Sequence, residues 1–64
     1  MGAFDVFEVS DLKVIYRALH AHLMEHPELM DSTFFHRLQT HLQSKARADG
    51  VDITDHAAWT RWLG

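Results

Sequence analysis

Histidine is the residue type in this chain best placed to do chemistry. Six occur among sixty-four residues, and there is no cysteine. His20, His22 and His26 fall within one short stretch. On a helix, residues four apart share a face, so His22 and His26 would bring two imidazoles within reach of one ion. The fitting ion is zinc or another divalent transition metal, with Asp11, His41 or a second copy of the chain completing the ligand set. The same residues also titrate near neutrality. Protonating all six would take the formal net charge from -3 to +3 around pH 6 to 7, the makings of a pH switch.

A plainer account of these histidines is the stronger one. His26 falls on the apolar stripe at the end of the expected helix, where the dipole favours an imidazolium, and His22 lies at the edge of that stripe. His22-Leu23-Met24-Glu25-His26 also spells the H-x-x-E-H string of the inverzincin metalloproteases. Five residues are weakly specific, however. The chemistry further needs a distant third ligand and a substrate cleft, and sixty-four residues cannot build the cleft. No other catalytic arrangement is present. Ser10 and Ser32 are placed as helix caps, and there is no Gly-x-Ser-x-Gly turn, glycine-rich phosphate loop or pair of carboxylates at helical spacing. The chain is therefore not expected to be an enzyme, and no cofactor is expected outside the two-histidine alternative.

Composition narrows the partners. Six basic residues against nine acidic ones give no basic face to displace counterions from nucleic acid. The segment Asp49-Gly50-Val51-Asp52-Ile53-Thr54 is too long and too acidic for the turn of a DNA-binding helix pair, and Arg61 is the one cation the last helix would bring to a groove. The lack of cysteine excludes a disulfide scaffold and a thiolate zinc finger. No apolar run approaches the roughly 20 residues that span a bilayer. Met1-Gly2-Ala3-Phe4-Asp5 carries no basic segment of the secretory kind, and Val6 stands where an acylation signal usually has Ser or Thr. A small, cytoplasmic domain is expected, with no nucleic-acid or membrane partner.

Three helices have to position whatever site exists. The first is expected over 11–26, capped by Ser10, with Val9 and Val14 as a hydrophobic staple and Leu12, Ile15, Tyr16, Leu19 and Leu23 as its apolar face. Pro27 ends it, and Pro27-Glu28-Leu29-Met30 forms a connector with room for one helical turn. The second spans 32–48, capped by Asp31 or Ser32, with Phe34, Phe35, Leu38, Leu42 and Ala46 on one stripe and Gly50 as its left-handed terminator. The third, 55–63, is capped by Asp52 or Thr54 and carries Trp59, Trp62 and Leu63 on one face. Residues 1–9 hold Phe4, Val6, Phe7 and Val9, too many large apolar groups for a free tail. The expected fold is thus a single all-α domain over 1–64: an antiparallel two-helix hairpin closed by a short third helix, with an apolar N-terminal arm laid across it.

These features converge on association. A chain this small buries only about 60% of the surface its unfolded form exposes, and no disulfide or thiolate metal site can supplement the core. Phe34 and Phe35 are neighbours, so they point about 100° apart and the hairpin can hold only one of them. Phe35 is taken as the member facing a partner. Trp59 and Trp62 either close the hairpin or serve as a binding hot spot. The expected function is a non-enzymatic protein–protein interaction module, an adaptor, regulator or accessory subunit. It would use Phe4, Phe7, Phe35, Trp59 and Trp62 to join a second copy or a larger complex.

Overall fold

The structure is a computed structural model and describes residues 4–64. The described residues form three α-helices and no strand: α1 over Val9–Ala21, α2 over Thr33–Ala48 and α3 over His56–Leu63, with a five-residue 3₁₀ helix over Pro27–Asp31 between the first two. α1 packs against both α2 and α3, which is the expected hairpin closed by a short third helix. Met1 to Ala3 of the expected arm lie outside the described residues.

The first helix departs from expectation at both ends. It begins two residues early because the backbone carbonyl of Glu8 accepts from the N–H groups of both Asp11 and Leu12, each at 3.1 Å. Glu8 is therefore the N-cap, through its backbone and not its side chain, and Ser10 lies inside the first turn instead of capping it. The staple is lost for the same reason: Val9 becomes the first helical residue and packs on the core, while Val14 is exposed. At the other end α1 stops at Ala21, five residues short of His26. The last bonds tighten to an i→i+3 pattern, His22 N–H to Leu19 O and Leu23 N–H to His20 O, and such tightening commonly ends a helix. His26, next to Pro27, has φ -132° and ψ 67°, outside the α region as a residue before proline should be.

The second and third helices are locally specified. Ser32 caps α2 by accepting from Phe35 N–H at 3.3 Å. At its C-terminus, Gly50 N–H bonds Arg47 O and Val51 N–H bonds Ala46 O, the two bonds of a Schellman motif. That closure requires φ of +85° at Gly50, a conformation glycine adopts without strain. α3 is capped by Asp55, whose carboxylate accepts from Ala57 and Ala58 N–H at 3.1 and 3.3 Å. Neither Asp52 nor Thr54 does this. Asp52 instead folds the preceding turn, accepting from the Thr54 backbone N–H and hydroxyl at 3.0 and 2.6 Å.

The core is small and aromatic. Leu12 and Tyr16 of α1, Phe35, Leu38 and Leu42 of α2 and Leu63 of α3 are buried together, with Phe4, Val9, Leu19, Leu23, Trp59 and Trp62 packed around them. Tyr16 stacks on Phe35 with ring centroids 5.4 Å apart and meets the edge of Trp59 at 6.0 Å. The resulting body measures 32 × 28 × 17 Å, so along its short axis it is little more than two helices thick. A flat body of this kind leaves helix faces open.

Candidate interaction surface

Among the described residues, no group of three or more histidine, aspartate, glutamate or cysteine side chains could hold a metal ion. The expected pairing of His22 and His26 depended on both lying on one helix, and α1 ends before either. His22 is the C-cap of α1 and His26 precedes the 3₁₀ helix. Each spends its Nδ1–H on a carboxylate of its own turn: His22 donates to Glu25 at 2.9 Å and His26 to Glu28 at 3.1 Å. The completing candidates are elsewhere engaged or distant in role. His41 packs against Phe4 with the rings tilted and their centres 5.5 Å apart, Asp5 lies 4.0 Å from its Nδ1, and Asp11 sits in the first turn of α1. His36 is likewise structural, its Nε2–H donating to Met30 O across the start of α2. His22, His26 and His36 thus tie turns together.

The expected binding aromatics separate into three groups. Phe35 is buried, 2% exposed, with its ring on Tyr16; it holds the fold and cannot face a partner. The exposed member of the pair is Phe34, at 55%. Helix phase explains the choice: Phe35, Leu38, Leu42 and Ala46 form the 3-4-4 row facing α1, and Phe34 lies about 100° to one side of it. Trp59 and Trp62 stack on each other at 5.7 Å and close the hairpin. Lys13 of α1 lies 3.9 Å from the centre of the Trp62 ring, and the indole N–H of Trp62 donates to Asp49 at 2.9 Å. With Arg17 donating to Gly64 O at 2.9 Å, these contacts fix α3 against α1 and the end of α2. The arm behaves differently along its length. Phe4 meets the edge of Phe34 at 5.5 Å and packs on the core, whereas Phe7 remains 58% exposed and Val6 more so.

Other exposed apolar residues lie where the sequence reading had no place for a site. Val14 and Ile15 of α1 are 55% and 46% exposed. The signal was a second apolar row. Alongside the inward row Val9, Leu12, Tyr16 and Leu19, α1 carries an outward row Asp11, Val14, Ala18 and Ala21 at the same 3-4-3 spacing, with Ile15 beside it. The corresponding outer face of α2 is Thr33, Arg37, Thr40, Ser44 and Arg47, polar throughout and exposed. Two helices of one hairpin thus present opposite chemistries to the outside.

Among the described residues, one concavity is an open depression of about 290 Å³ lined by Gly50, Val51, Asp52, Ala58, Arg61 and Trp62. Its carboxylate and indole are already committed, to Thr54 and Asp49 respectively. The Thr54 hydroxyl and N–H hold the Asp52 carboxyl below its ordinary range. Backbone and His26 hydrogen bonds lower that of Glu28, and burial raises the Tyr16 phenol. All three shifts have structural causes. Compared with known proteins, the chain matches no family model, no curated protein and no solved structure. No helix of the described residues is long and apolar enough to cross a membrane.

Proposed function

We propose that this domain is a non-enzymatic protein–protein interaction module, an adaptor or accessory subunit of the cytoplasm, and that it self-associates. The observation that supports this reading is the balance of apolar surface. Among the described residues, Val6, Phe7, Val14, Ile15, Met24, Met30 and Phe34 are exposed, against only seven buried apolar residues. Singly exposed hydrophobic side chains are ordinary, but contiguous ones mark association surfaces. Here Ile15 and Phe34 are the chain neighbours of the stacked pair Tyr16 and Phe35, so they emerge at one level of the hairpin. Their flank is the one on which Phe4 lies, away from the Lys13 and Arg17 contacts to α3. The test is multi-angle light scattering on the untagged chain. A concentration-dependent mass above 7.4 kDa is expected. A constant monomer mass at every concentration overturns self-association.

A further inference from the structure

We draw no further inference here: the strongest candidate, the exposed apolar side chains Ile15 of α1 and Phe34 of α2 on the Phe4 flank of the hairpin, belongs to the association surface already proposed, and nothing in the structure shows what covers it.

Discussion

The sharpest consequence of the fold concerns two adjacent residues. Phe35 is 2% exposed and stacked on Tyr16 at 5.4 Å, while Phe34 is 55% exposed and touches Phe4 edge-on at 5.5 Å. Removing a buried phenylalanine side chain costs about 3–5 kcal/mol, to which the aromatic pair adds roughly 0.5–1.5 kcal/mol. A domain of this length has only about 3–10 kcal/mol of total stability. Phe35→Ala should therefore leave the chain largely unfolded at room temperature. Phe34→Ala removes a half-solvated ring and should cost under about 1.5 kcal/mol. Phe35→Leu keeps most of the volume and should fall between the two, so that unfolding remains measurable. Urea unfolding followed by circular dichroism at 222 nm, with near-ultraviolet ellipticity reporting the Tyr16 stack, resolves all three. If Phe34→Ala proved as damaging as Phe35→Ala, or Phe35→Ala kept a cooperative transition near that of the parent, the assignment of Phe35 to the core would be wrong.

Three further outcomes follow from local structure. Ser32→Ala and Asp55→Ala should each cost about 1 kcal/mol in urea unfolding by leaving N-terminal N–H groups of α2 and α3 without acceptors, whereas Ser10→Ala should have no such effect. Gly50→Ala should destabilise by about 1 kcal/mol through its φ of +85° alone, since no neighbouring atom lies within 4 Å of an added Cβ. Burial raises the Tyr16 phenol above its ordinary value of 10.0, so the folded chain holds that proton more tightly than the unfolded chain. Its contribution is complete below pH 10 and is lost as pH rises through the folded value; thermal midpoints should drop in that alkaline window, and less so in Tyr16→Phe.

Local signals were legible only in part. The terminator at Gly50 and the tryptophan pair on the last helix stand where residue type placed them, and Ser32 is the one of two offered residues that caps α2. Residue type also pointed to Ser10, Asp52 and Thr54, however, where Glu8 and Asp55 are the caps. The end of α1 is different. Leu19 and Leu23 keep helical spacing and both pack on the core, so periodicity could not distinguish a continuous helix from one that tightens at Ala21 and turns. The shared helix face assumed for His22 and His26 went with that boundary. The Phe34–Phe35 choice needed the phase of α2 against Tyr16, a tertiary fact, and the sequence reading took the wrong member. Periodicity puts Ile15 on the inner face and Val14 in a staple with Val9, whereas both Ile15 and Val14 are exposed once α2 and α3 have taken the opposite side of α1.

Self-association can be observed directly. In a series of amide correlation spectra recorded on isotopically labelled protein at increasing concentration, the signals of Ile15 and Phe34, both exposed, should shift together toward an associated limit, and those of Thr40 and Ser44 on the polar outer face of α2 should stay in place. Spectra that do not change with concentration, or shifts centred on Thr40 and Ser44, would contradict association through the exposed apolar side chains.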